Sequence, residues 1–282
     1  MREVDVVVVG AGPTGSNTAR LLAQRGWSVL LLEEHAEVGI PVQCAGLVTP
    51  RTFDHTPFPI GDLLQNDLTG GRIVAPDGTT LEFDGKVVHA QAMDRARFDQ
   101  KMAEHAVKAG AELWTSAKAI AAVRDPLGIT VRIRIEPAKG LGPGEGGPAS
   151  AAGQGPKGTQ PAIGELSVRC RLLVGADGIR GSVARWFDFP NVEEIVSCYE
   201  AELCGVHIPA NKPGIIPMFA GASQAPGFFS WIIPVGTDAD GKQRARAGLA
   251  VAPGMNLQSA KAYYERMFTD PQSAPYLTGA TP

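Results

Sequence analysis

No two of the four cysteines stand in a C-x-x-C spacing; Cys44, Cys170, Cys198 and Cys204 are scattered along 282 residues. That pattern excludes the usual zinc knuckle and the redox dithiol. Cys170, Cys198 and Cys204 lie in strand-like runs and are expected to pack in the core. His35, His55, His89, His105 and His207 show neither metal-ligand spacing nor a nucleophile partner, so no metal is expected, and the histidines are read as solvated or locally bonded. Basic runs are also lacking: 26 Lys and Arg face 29 Asp and Glu, for a net charge of -3. A nucleic-acid partner is therefore not expected. No uninterrupted apolar stretch reaches the roughly 20 residues that span a bilayer, and no amphipathic anchor stands out. Strand-like sequence begins almost at Met1, leaving no room for a signal peptide ahead of the fold. The expectation is a cytoplasmic chain with reduced thiols, with peripheral contact at a membrane left open. With 44% hydrophobic and 20% charged residues, the composition supports one large or two smaller globular domains.

What is present is concentrated at the N-terminus. An apolar run, Val6 to Val9, leads into Gly10-Ala11-Gly12-Pro13-Thr14-Gly15, then a helical segment from Ser16 to about Arg25, then a second apolar run, Val29 to Leu32, ending on Glu33. Strand, glycine turn, helix, strand and acid follow in the order of an adenine-dinucleotide site. Gly10 permits the tight turn, Gly12 lets backbone approach a pyrophosphate, and Gly15 lets the helix lie close to the strand. The helix start offers free N–H groups and the positive end of its dipole. Glu33 lies where a carboxylate can accept ribose hydroxyls.

Further along, 35–51 is a long loop of the length that is often functional. Gly71 to Ala75 and Thr80 to Asp84 flank Pro76-Asp77-Gly78 and read as a β-hairpin. Met93 to Ala109 has Phe98, Met102, Ala106 and Ala109 at helical spacing and ends on Gly110. Strands are expected over 112–115, 129–135 and about 165–171, and a buried strand from Leu172 ending in Asp177-Gly178. Residues 136–164 are dominated by Gly, Pro, Ala and Ser and cannot bury enough surface to offset ordering entropy; they are read as a disordered insertion at a hairpin tip. From about 195 to 251 the chain is strand-rich, followed by a helix over 255–268 and a turn-like tail.

Three stretches carry a resemblance to a large group of FAD enzymes that includes the aromatic hydroxylases: the glycine turn ending in Glu33, the helix opening Asp94-Arg95-Ala96-Arg97-Phe98-Asp99, and Ala176-Asp177-Gly178. More closely, the chain resembles the geranylgeranyl reductase family of FAD-dependent oxidoreductases. Glu37-Val38-Gly39-Ile40-Pro41-Val42-Gln43-Cys44-Ala45-Gly46-Leu47 is similar to that family's cysteine-bearing loop, and the Phe229-Ser230-Trp231-Ile232-Ile233-Pro234 run to its Tyr-x-Trp-x-Phe-Pro motif. Phe229 stands where the motif has tyrosine, and Ile233 and Val235 stand where an aromatic and often a basic residue occur.

The resemblance implies an α/β fold in which a Rossmann-like FAD-binding βαβ domain is interleaved with a mainly antiparallel β-sheet substrate domain. Its expected bounds are 1–135 with 165–190 for FAD, 50–95 contributing partly to the substrate side, and 191–282 for an incomplete substrate domain. It implies FAD held by Gly10, Gly12, Pro13, Thr14, Gly15, Glu33, Glu34, Arg95, Asp177 and Gly178. Cys44 would lie beside the flavin on the substrate side, as the candidate catalytic group, and Phe229 and Trp231 would line the substrate channel. The implied reaction is reduction of C=C bonds in an isoprenoid or similar lipid by hydride transfer from reduced flavin, with NAD(P)H, ferredoxin or a quinol-linked carrier as electron donor. Asp177 could instead cap the next helix, and Arg95 could be an ordinary solvated residue. Two other readings remain: a flavin monooxygenase of the aromatic hydroxylase type, and a non-catalytic FAD-binding fragment or subunit. The family's next motif, a Gly-Asp segment, has no counterpart after Phe268. The resemblance thus implies a truncated product or a missing C-terminal half.

Overall fold

A computed structural model describes residues 1–137, 161–255 and 258–282. Most of the expected 136–164 insertion lies outside them. The chain divides into two compact units, and each is built from separate stretches of sequence: Met1–Gln43, Thr56–Phe58 and Arg95–Val192 form one, Cys44–His55, Pro59–Asp94 and Glu193–Pro282 the other. Residues 44–55 and 59–94 belong to the second unit.

The first unit is built on a six-stranded sheet. Its order is Glu112–Trp114, Val29–Leu32, Arg2–Val9, Gly164–Gly175, Gly128–Ile135, Ala117–Asp125. The first four strands pair in parallel, and the last two pairings, of Gly164–Gly175 with Gly128–Ile135 and of Gly128–Ile135 with Ala117–Asp125, are antiparallel. Val6 to Val9 and Val29 to Leu32 are buried on both faces, which is why they read as unbroken aliphatic runs. On one face Val6, Val8, Val29 and Leu31 meet Ala19 of helix Pro13–Ala23 and Ala103 and Ala106 of helix Arg95–Lys108. On the other, Val7, Val9, Leu30 and Leu32 meet Trp114, Val131, Ile133 and Val168. Full burial of each such side chain contributes on the order of 1.5–3 kcal/mol.

Three expectations are corrected. The stretch 164–175 is one strand, not two: its first part, to Cys170, pairs antiparallel with Gly128–Ile135, its part from Val168 pairs parallel with Arg2–Val9, and Leu172 is exposed rather than buried. Ala117–Asp125 is a strand that went unread. Its Ala-rich composition with Lys118 and Arg124 has little strand propensity, and pairing with Gly128–Ile135 supplies what propensity does not. Of the three cysteines expected in the core, only Cys170 is buried; Cys198 is exposed and Cys204 is half-buried with its thiol on Asp238 Oδ2 at 3.0 Å.

The second unit has a six-stranded sheet ordered Ser197–Cys204, Gln243–Val251, Phe229–Thr237, Ile215–Ala220, Gly70–Val74, Thr80–Asp84. All pairings are antiparallel except that of Ile215–Ala220 with Gly70–Val74. A small antiparallel sheet of Leu47–Val48, Ala90–Met93 and Leu64–Leu68 joins it. One face of the large sheet buries Leu203, Phe219, Ile232, Ala245, Ala247 and Leu249 against Tyr263, Tyr264 and Met267. The helix carrying the tyrosines runs only from Ala260 to Arg266, shorter than the 255–268 expected, and starts where Ser259 Oγ accepts from Ala262 N at 3.2 Å. No helix among the described residues is long and apolar enough to cross a membrane.

Candidate functional site

In the first unit the carboxyl ends of three neighbouring parallel strands bring together Glu33, the glycine turn and Asp177. Val9 pairs with Leu32 on one side and with Gly175 on the other, so the turn 10–15 leaves the sheet between the two acids. The three glycines there are not equivalent. Gly10 has φ +97° and a Cβ on it would come 2.3 Å from Ala176 O; a Cβ on Gly15 would come 1.8 Å from Gly10 O. The protein's own packing demands both. A Cβ on Gly12 would meet no protein atom within 4 Å, so this chain alone gives no steric reason for glycine there. Gly12 caps helix Pro13–Ala23, which has Pro at its start and no acidic residue in its first turn. The first-turn amides of a helix have no intrahelical carbonyl, and their positive dipole end is left uncompensated by any first-turn carboxylate. An opening of this kind, bare of side chain at a helix N-terminus, fits a diphosphate.

The flanking acids are already engaged. Glu33 Oε2 accepts from Ala11 N at 3.1 Å, and Oε1 accepts from His35 N at 3.0 Å and lies 2.7 Å from His35 Nδ1. A carboxylate offers about four lone-pair sites, so this network holds the turn and leaves acceptor capacity. The hydrogen bond that Glu33 accepts from the imidazole raises the pKa of His35. Glu34 points to the surface and pairs with Lys118 at 2.7 Å. Asp177 Oδ2 accepts from Ser182 N and, at 3.1 Å, from Val183 N, capping helix Ser182–Trp186. Gly178 has φ +75° and turns the chain after that acid. Arg95 opens helix Arg95–Lys108 and donates from Nε to Asp99 Oδ1 at 2.8 Å. Burial pushes the Asp99 carboxyl up, and Arg95 opposes the shift. The loop after Glu33 packs on this helix: Gln100 Nε2 donates to Glu37 Oε1 at 2.8 Å, and a Cβ on Gly39 would sit 2.8 Å from Ala96 O.

The second unit holds Cys44, Phe229 and Trp231. Trp231 and Phe229 alternate with fully buried Ser230, so both project from the face of the large sheet opposite its core. The indole lies across Gly248 of the neighbouring strand and donates from Nε1 to Glu200 Oε2 at 2.8 Å on the strand beyond. A Cβ on Gly248 would meet Glu200 Cβ at 2.9 Å and the indole at 3.0 Å. Phe229 packs edge-on to Trp231 and stacks on Phe228. Burial raises the pKa of Glu200, against the hydrogen bond from Trp231. One row along the same face, buried Arg246 pairs with Glu202 Oε2 at 3.3 Å. Cys44 is half-buried, and Gly46 N donates to its Sγ at 3.5 Å. Sequence reasoning missed Glu200, Glu202 and Arg246. Their signal was the alternation Glu200-x-Glu202 and Arg244-x-Arg246 in strand-like sequence, where charge recurring on one face marks a polar side. Among the described residues no cluster of His, Cys, Asp and Glu could hold a metal ion.

Residues 5–126 match the family model described as FAD dependent oxidoreductase. The digeranylgeranylglycerophospholipid reductase of Methanosarcina acetivorans is 30% identical over 251 residues, covering 87% of this chain and 54% of that protein. That of Methanosphaera stadtmanae called reductase 2 is 27% identical and is matched by 100% of this chain over 64% of its own length. In fold, a geranylgeranyl bacteriochlorophyll reductase-like protein from Thermoplasma acidophilum superposes with a TM-score of 0.76 at 21% identity, over 100% of this chain and 64% of that one. The first-ranked of these relatives is about twice as long as the match: the chain spans about half its length. Residues 5–126 thus carry an FAD-dependent oxidoreductase domain, whose cofactor is FAD, and most of the chain is similar to reductases named for digeranylgeranylglycerophospholipids.

Proposed function

We propose that this chain is the FAD-binding and substrate-facing part of a reductase acting on C=C bonds of an isoprenoid lipid. Gly10, Gly12, Pro13, Thr14 and Gly15 would hold the diphosphate, Glu33 the adenosine ribose, and Arg95 with Asp177 and Gly178 the remainder of the cofactor. Cys44, Phe229 and Trp231 would face the substrate. Bound flavin supplies hydride transfer. The chain's own residues bind it, exclude water with the Phe229 and Trp231 rings and present the alkene. A lipid of this class resides in a membrane, so the reading includes work at a cytoplasmic membrane surface.

One observation carries the cofactor assignment: of the three turn glycines, Gly12 alone is free of any protein atom that would exclude a side chain. Purified protein mixed with FAD should carry a flavin absorption spectrum through gel filtration. Gly12→Val should fold with an unchanged far-ultraviolet spectrum and lose the flavin. A colourless wild type at saturating FAD overturns the reading, as does a Gly12→Val protein that keeps the cofactor. Reduced holoprotein reoxidised anaerobically by a polyprenyl-chain lipid, with loss of alkene by mass spectrometry, tests the reaction.

A further inference from the structure

Among the described residues of the second unit, Arg246 is a buried charge bonded on all sides. Only 6% exposed, it donates from Nη1 to Ala45 O at 2.5 Å and Met93 O at 3.1 Å, from Nη2 to Gln65 Oε1, and from Nε to Glu202 Oε2 at 3.3 Å. Four separate segments thus converge on one planar group. The 44–46 turn closes directly over it: Gly46 has φ +64°, and a Cβ there would lie 2.5 Å from Arg246 Nη1 and 2.6 Å from Met93 O. Burial lowers the pKa of Arg246, and the nearby carboxylates Glu200 and Asp94 oppose that shift. Stability does not explain such a group, since a buried ion pair can be exchanged for apolar residues at little or no cost. A rigid fork that reaches two carbonyls, an amide and a carboxylate at once fixes geometry, and a lysine ammonium cannot reproduce it.

We propose that Arg246 is a positioning residue for the substrate side: its guanidinium pins the Cys44–Gly46 turn to the sheet face that carries Trp231 and so sets where Cys44 Sγ is presented. The inference rests on the reading of Cys44 and Trp231 as substrate-facing. Its test does not require turnover. Wild type, Arg246→Lys, Arg246→Met and Glu202→Gln are labelled with N-ethylmaleimide, and modification of Cys44 and of exposed Cys198 is followed by peptide mass spectrometry beside each thermal midpoint. Lysine keeps the charge opposite Glu202 but cannot hold both carbonyls, so Cys44 labelling should change by about threefold or more while Cys198 holds its rate, as expected for a loop released locally. Arg246→Met should change Cys44 labelling further. Glu202→Gln keeps an acceptor for Nε and should leave the Cys44 rate within about twofold of wild type even where the midpoint falls. Should the methionine variant not fold, the lysine variant still decides. A wild-type Cys44 rate in Arg246→Lys overturns the proposal, and so does a parallel change at both cysteines that tracks lost stability. FAD retention by the same wild-type sample separates the two claims: a colourless protein whose Cys44 responds to Arg246 keeps the positioning role and loses the cofactor reading.

Discussion

Glu33 takes hydrogen bonds on both carboxylate oxygens, one from the glycine turn and one from His35. The histidine is therefore a reporter of that network. Because its folded pKa is raised, the pair adds stability that is complete below the unfolded value of about 6.5 and is lost as pH climbs through the higher folded value. Glu34 reinforces the shift and Lys118 opposes it. An NMR titration should show His35 titrating above the ordinary histidine range in wild type and returning toward it in Glu33→Gln. Identical curves would detach His35 from Glu33. On the sheet face that carries Trp231 the sensitive residue is Gly248. Alanine there would press on Glu200 Cβ, Tyr199 O and the Trp231 ring, each at 3.0 Å or less. We expect Gly248→Ala to cost about 1–3 kcal/mol through overpacking, read by urea unfolding, with the indole–Glu200 hydrogen bond broken. An unchanged midpoint would mean that the ring is free to move aside.

At the scale of elements, the βαβ opening was the most legible part of the molecule because each piece has one physical job and one spacing. Val6 to Val9 had to be buried, Gly10 had to turn, and Gly15 had to admit the helix. Gly15→Ala tests the last point. Its methyl would stand 1.8 Å from Gly10 O, a backbone atom that cannot swing away, so helix Pro13–Ala23 must lift off the sheet. The expected loss is several kcal/mol, at the upper end for single substitutions (about 4 or more), with a lower thermal midpoint even without FAD. Gly12→Val, by contrast, should leave that midpoint nearly where it was. If the two variants melt alike, the division between a packing glycine and a ligand-facing glycine is wrong. Legibility failed where tertiary pairing overrode local preference. Ala117–Asp125 is a strand only because Gly128–Ile135 pairs with it, and no apolar alternation announces it. Cys198 looked like a core residue within Ser197–Cys204, but the register puts it on the face opposite Leu203, and it is exposed.

For the molecule as a whole, the interleaving of two units could be inferred from a distant fact, the Asp177-Gly178 end of a strand that completes a sheet begun at Arg2. The exact exchange points could not, because chain crossings such as Gln43 to Cys44 and Asp94 to Arg95 carry no composition change. The same limit applied to Arg246: its partners Ala45, Gln65, Met93 and Glu202 lie up to 201 residues away, and no local window contains them. Cofactor binding is a property of this scale, since it acts on the folding equilibrium of the chain. A ligand bound only by the folded state adds RT ln(1 + [L]/Kd), about 2.7 kcal/mol at a hundredfold excess over Kd. For a chain of this size each kcal/mol moves the midpoint by roughly 2–4 °C, so FAD at that excess should raise it on the order of 5–10 °C. The rise should continue with the logarithm of FAD concentration rather than saturate. Gly12→Val should show the wild-type midpoint without FAD and no rise with it, because the substitution removes the ligand's place and not the fold's support. A wild-type curve indifferent to FAD, or a variant that climbs with it, would take the diphosphate away from this turn.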